Sequence, residues 1–327
     1  MQPVSSFFAA GLFAAISLFL PGHQAAAQTS SNITTSKIVF PFAAGGSGDA
    51  LARLIGDRIQ PLLKRSIVVE NRTGGSGMIG ISAVKNAPKD GSTILLTPIA
   101  PMSIFPHTYK SLDYDPVKDF TPITQIVRFD YGFAINKDIP AKNIEELIAW
   151  LKDNPNRANY GSPGVGALPQ FTGILFGEKT GLSFNHIPYR GSIPAITDLI
   201  GGQISSVILP ISDLIQFHRD GKLRLIAVSG TQRSALVPDV PTFRDAELDI
   251  VSNGWYGFYA PAGTPADEIS RLNAAIIQVA NSPDVKTRTL DFGFEAISGT
   301  PEELAALQKS DSDKWGPVIR KSGFVSE

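Results

Sequence analysis

Cysteine is missing from all 327 residues, which excludes disulfides, thiol nucleophiles and Cys-ligated metal. Histidine is nearly as scarce. His23, His107, His186 and His218 stand alone, none with a partner at i+2 to i+4 of the kind that opens a metal site, so each reads as a surface or packing residue. An excess of either charge is also lacking: 29 basic side chains face 30 acidic ones, a net charge of −1, which leaves no basic face for nucleic acid and no charged tail. Neither a G-x-S-x-G elbow nor a P-loop Gly-Lys-Ser/Thr is present, and the carboxylates form no convincing acid–base pair. The sequence therefore offers no catalytic constellation. Gly75-Ser76-Gly77-Met78-Ile79-Gly80 matches the dinucleotide fingerprint, but the acidic residue expected about 20 positions on, at the end of the next strand, is absent; Asp90 lies in a turn before that strand. It reads as a tight turn lining a cleft.

Only one long apolar run occurs, Phe7 to Leu20, broken by Gly11 and Ser17. Its length suits a signal-peptide core rather than a membrane span, and Ala25 and Ala27 satisfy the small-x-small rule. Residues 1–27 are expected to be cleaved after Ala27 and the protein exported to the periplasm. The first residues carry no Lys or Arg, which keeps an uncleaved anchor as the alternative. The remainder, in a chain 43% hydrophobic and 18% charged, is long enough for two domains of roughly 100–200 residues each.

What is present begins at Ile38. Lys37 to Phe40 has the β-branched, apolar character of a buried strand, and Pro41 stops it. Gly45, Gly46 and Gly48 permit a tight turn. From Asp49, Leu51, Leu54, Ile55, Ile59 and Leu62 fall at helical spacing. Strand, glycine turn and helix together present free backbone N–H groups at a helix N-terminus, a ready anion site. A second such unit comes later: a strand at 158–160, the turn Gly161-Ser162-Pro163-Gly164-Val165-Gly166, and a helix from about Pro169 to Lys179.

Between and after these units the alternation continues. Strands are expected at 67–70, 93–97, 123–127, 131–136, 184–189, 207–210, 223–229 and 254–261, with helices at 78–86, 143–151 and 193–200. Residues 98–122 read as a cover for the sheet edge. Thr264-Pro265, Ser282-Pro283 and Thr300-Pro301-Glu302-Glu303 announce three final helices, each with a hydroxyl N-cap. Strand–helix–strand order implies right-handed crossovers and largely parallel sheets. The expected domains are 28–128 plus 258–327 and 129–257, with two hinge crossings and both glycine turns facing one cleft.

Several residues carry two readings. Ser162 is a turn residue or a hydroxyl donor to a carboxylate. Asp49 is a helix cap or an acceptor for a ligand group or a water. Trp255, Tyr256, Phe258 and Tyr259 alternate along a strand as core packing or as ligand-facing rings. Arg53 and Arg72 read as structural ion-pair partners.

The stretches 38–49 (IVFPFAAGGSGD), 69–80 (VENRTGGSGMIG), 88–96 (PKDGSTILL), 160–166 (YGSPGVG), 186–199 (HIPYRGSIPAITDL), 238–242 (PDVPT) and 255–265 (WYGFYAPAGTP), in this order, resemble the Bug receptors. These are periplasmic solute-binding proteins of tripartite tricarboxylate transporters. The resemblance implies an α/β, two-domain periplasmic-binding-protein (clamshell) fold, each domain a mainly parallel sheet flanked by helices. It implies a monomer that needs no cofactor and no metal and closes on a small carboxylic acid, a di- or tricarboxylate or related organic acid, for the membrane components of such a transporter. Carried over by motif, ligand contacts would come from Phe42, Ala44, Gly45, Ser47 and Asp49 in the first turn, from Ser162, Gly164 and Val165 in the second, and from Tyr189 and Asp198. Two departures bear on specificity. The family commonly has Thr before the first-turn Asp, where this chain has Gly48, and often a His near the position of Gln170. A ligand sensor for a signalling partner and, less in keeping with the residues, a secreted α/β hydrolase are the rival functions.

Overall fold

The protein is described by a computed structural model over residues 33–326, so the signal-peptide reading of residues 1–27 lies outside the described residues. The opening unit folds as β1 (Thr35–Phe40), α1 (Ser47–Leu63) and β2 (Ser66–Asn71). Ile38, Val39 and Phe40 are buried on β1, and Leu51, Ala52, Ile55, Ile59 and Leu63 form the buried stripe of α1. The helix ends at Lys64 in the left-handed region, φ 54°. Next come α2 (Met78–Lys85) and β3 (Thr93–Pro98). Residues 98–122, expected to cover the sheet edge, instead enter the core: a π turn at Ala100–Ile104 and the short α3 (Phe105–Thr108) bury Met102, Ile104 and Phe105.

The two strands expected at 123–127 and 131–136 are one 17-residue strand, β4 (Phe120–Asn136). After it the chain runs through α4 (Ile144–Asp153), β5 (Asn159–Ser162), α5 (Leu168–Thr180), β6 (Asn185–Pro188), α6 (Ser192–Ile200) and β7 (Ser206–Pro210). It continues through α7 (Ile211–Arg219), β8 (Leu223–Val228), β9 (Asn253–Pro261), α8 (Ala266–Ala280), α9 (Pro283–Asp291), β10 (Glu295–Ala296) and α10 (Pro301–Ser322). The helix α7 was not anticipated, although Ile211, Leu214 and Ile215 have helical spacing.

The sheet runs β2-β1-β3-β9-β4-β7-β5-β6, with β8 and β10 also pairing β4. Both flanks, β2-β1-β3 and β7-β5-β6, are parallel, as helical crossovers require. The antiparallel pairs all involve the long strands β4 and β9. Along β4 the partners change. Phe120 to Asp130 pair β9, the last register being Asp130 with Asn253; from Tyr131 and Gly132 on, β7 and β8 take over. This fits the periplasmic-binding-protein architecture of flanked α/β sheets joined by crossing strands.

Aromatic rings fill the change-over: Phe129 lies 5.4 Å from both Tyr256 and Phe294 and 5.5 Å from Tyr131, centroid to centroid. Of the expected caps, Thr300 makes a full capping box with Glu303, whereas α8 starts from Pro265; the Thr264 hydroxyl donates back to the Pro261 carbonyl at 2.8 Å. Among the described residues, no helix is long and apolar enough to cross a membrane.

Candidate functional site

The first glycine turn is held shut from within. Asp49 sits at the third position of α1 and reaches back to accept the Gly45 N–H at 3.1 Å, in the manner of a capping-box acid. Its carboxylate also accepts from Arg53, at 3.0 and 3.1 Å, and from Asn71 at 2.9 Å. Burial opposes the charge, but these hydrogen bonds outweigh it and hold the carboxyl below its ordinary range. Asp49 is thus fully engaged by the turn that it shapes, and Arg53 is its ion-pair partner. Gly45 has φ 93°, a conformation a side chain would strain.

Gly48 is glycine for a different reason. A Cβ there would lie 2.6 Å from the Phe40 ring and 2.7 Å from the Tyr256 hydroxyl oxygen. The space of a residue-48 side chain is therefore filled by Phe40 and Tyr256. A tyrosine hydroxyl from β9 thus stands where a residue-48 side chain would be.

The second glycine turn lies opposite. A Cβ on Gly164 would come 3.5 Å from the Ser76 hydroxyl oxygen, so this turn meets the loop before α2. That loop is the weak dinucleotide match, and it does line the cleft, through Ser76. The Ser162 hydroxyl is 0% exposed; it donates to the Gly164 carbonyl at 2.9 Å and lies 2.6 Å from His186 Nε2. Burial pushes the His186 imidazole down to about 4, which keeps it neutral. The Val165 carbonyl accepts from the Tyr109 hydroxyl at 3.2 Å, and Gln170 Oε1 accepts the Gly166 N–H at 2.7 Å. The Tyr189 hydroxyl donates to Asp198 at 2.8 Å, and burial together with that carboxylate pushes it up to about 12.

Between the turns is a cavity of about 90 Å³. Of the ten motif-derived residues, Phe42, Ser47 and Gly164 line it; Ala44, Gly45, Asp49, Ser162, Val165, Tyr189 and Asp198 stand behind the lining or outside it. Its walls are mostly apolar, with Phe40, Phe42, Phe105, Phe129, Tyr131 and Tyr256 as rings, and Ser47, Ser76 and Ser192 as the hydroxyl residues. Among the described residues no Lys, Arg or His lines it, and the single charged lining residue is Asp213.

Sequence reasoning missed Asp213 and Ser212. Both belong to the first turn of α7, which carries them to the start of α1: the Ser47 N–H donates to Asp213 Oδ1 at 3.0 Å, and the hydroxyl oxygens of Ser47 and Ser212 are 2.9 Å apart. The signal available was Ser-Asp two and three residues after a strand-ending proline, at the start of an apolar helical repeat. Among the described residues no cluster of His, Asp or Glu could hold a metal.

The chain is similar to proteins of known family and structure. The model of the tripartite tricarboxylate transporter family receptors matches residues 51–324. The periplasmic binding protein BugD is 31% identical, with a TM-score of 0.85, over 90% of this chain and 99% of that one. MatC of Rhodopseudomonas palustris, solved with bound malate, is 29% identical, with a TM-score of 0.82, over 87% and 98% of the two chains. Another R. palustris protein, solved with adipate, is 28% identical, with a TM-score of 0.86, over 89% and 98%.

Proposed function

Since the chain belongs to the tripartite tricarboxylate transporter receptor family, we propose that it captures a small carboxylic acid in the periplasm and hands it to the membrane components of such a transporter. The observation that carries the reading is the cavity between two glycine turns, one of them opening the N-terminus of α1. Backbone N–H groups and the helix dipole favour a negative group there without a cationic side chain. Malate in MatC and adipate in the second R. palustris protein are both carboxylates, in support of the ligand class.

Closure is part of the proposal. Lobe one would comprise the elements up to β4's Asp130 together with β9 and every later element; lobe two would be the elements between. The hinge would then lie at Asp130/Tyr131, where β4 changes partners, and at Ser252/Asn253, where the chain re-enters β9. The ligand would favour the closed state by touching both turns. Export by cleavage after Ala27 and action as a monomer complete the reading.

The Ser162–His186 contact is the observation that would favour a hydrolase. Ser162 is fully buried and does not line the cavity, so we read the pair as structural.

The test is mass spectrometry of small molecules released on denaturing the purified protein, followed by a thermal-shift screen of mono- and dicarboxylates against uncharged solutes. A carboxylate found in both assays is the expected result. Stabilisation by uncharged solutes alone would end the carboxylate reading.

A further inference from the structure

The cavity's chemistry selects more narrowly than "carboxylate", and the narrower selection rests on the proposed carboxylate function. Asp213 already occupies part of the anion site, because its carboxylate accepts the Ser47 N–H at the first position of α1. The protein's own acid thus stands where the helix dipole would draw a ligand's charge. Beside it is a donor with no partner. Tyr256 is 7% exposed, its hydroxyl lies against Gly48 in the same helical turn, and that hydroxyl makes no hydrogen bond to any described residue. A buried hydroxyl without a protein partner is a donor open to an incoming acceptor. Around this pair the walls are aromatic and proline-rich, and no cation among the described residues lines them.

We infer that the site takes a monocarboxylic acid with an uncharged, apolar or aromatic body, Tyr256 donating to its carboxylate and Asp213 rejecting a second one. A dicarboxylate would have to put its other charge against the rings, where no cation among the described residues compensates it and the Ser76 and Ser192 hydroxyls are the neutral donors on offer, or beside Asp213, where like charge repels it. A monocarboxylate buries its apolar body against Phe40, Phe42, Phe105 and Phe129 and makes its one polar contact at the start of α1. Discrimination of this kind works by a repulsive element rather than by added attraction.

Matched probes test this on the purified protein by calorimetry: benzoate against terephthalate, and butyrate against succinate. In each pair the monocarboxylate is expected to bind at least tenfold more tightly. Asp213→Asn, whose amide oxygen still accepts the Ser47 N–H, should strengthen both acids but the doubly charged one more, shrinking the gap to less than threefold. Tyr256→Phe should weaken the monocarboxylate about fivefold or more, and circular-dichroism melting of both variants confirms that they are folded. Equal or tighter dicarboxylate binding by the unmodified protein, or an unchanged ratio in folded Asp213→Asn, overturns the inference while leaving the carboxylate reading intact. Failure of all four acids to bind any variant overturns that reading, and this inference falls with it.

Discussion

Single side chains decide how the two turns are built. Gly48→Thr would drive a side chain into the Phe40 ring and the Tyr256 hydroxyl, and overpacking of that kind costs about 1–3 kcal/mol. The expected result is a lower melting temperature together with weaker ligand binding, because Tyr256 must move. An unchanged melting curve would mean that the rings yield freely. His186 makes a second residue-level prediction. Its folded value of about 4 lies below the ordinary 6.5, so between these pH values the unfolded chain binds a proton that the native protein refuses. Stability is therefore complete above pH 6.5 and falls as pH drops towards 4, by up to about 3 kcal/mol at the usual 1.36 kcal/mol per pH unit. Denaturant titrations between pH 7 and 4 measure this slope. His186→Gln, which can still hydrogen-bond to Ser162, should flatten it. The buried Ser162 hydroxyl enters here as a packing group: Ser162→Ala leaves His186 Nε2 without this partner and should cost about 1–3 kcal/mol.

At the scale of elements, α1 and α8 are joined through a buried charge. Arg65, just beyond α1, is 4% exposed and pairs with Glu268 in the first turn of α8, while Arg271 donates to the Leu63 carbonyl at 2.5 Å. A Cβ on Gly91 would collide with the Glu268 side chain, so this loop must be bare for α8 to seat. Glu268→Ala leaves the guanidinium buried and uncompensated, a loss of about 3–5 kcal/mol when one partner of such a pair is removed. Urea unfolding reads this directly; a loss under 1 kcal/mol would show that water reaches Arg65 in the variant. The α10 capping box predicts a smaller effect, about 1 kcal/mol for Thr300→Ala.

The whole molecule is organised by β4 and β9, which pass between the parallel flanks and meet in the cluster of Phe129, Tyr131, Tyr256 and Phe294. If the lobes close about these strands, saturating ligand should reduce the radius of gyration in solution scattering. It should also raise stability by about 4 kcal/mol at a thousandfold excess over the dissociation constant. Stabilisation with an unchanged radius of gyration would leave a binding protein that does not hinge there.

Much of this was present in the linear order of residues. Local physics sufficed for the strand–glycine turn–helix units: alternating or periodic apolar residues choose the element, and glycines, prolines and hydroxyl caps end it, so β1, α1, β5, α5 and α10 lie close to their expected bounds. The family motifs identified both turns, and Phe42, Ser47 and Gly164 do line the cavity. Only the tertiary structure decided what faces it. Asp49, Ser162 and Tyr189 are polar residues in recognised motifs, yet each spends its hydrogen bonds on a neighbour, and no spacing rule reports which way a side chain turns. Asp213 and Tyr256 reach the start of α1 from far along the chain; the Ser47–Asp213 bond spans a separation of 166 residues. Such contacts arise from how β4, β7 and β9 pair and where α7 packs. Those are long-range choices set by burial and register across the whole sheet, to which no local pattern of residues is sensitive.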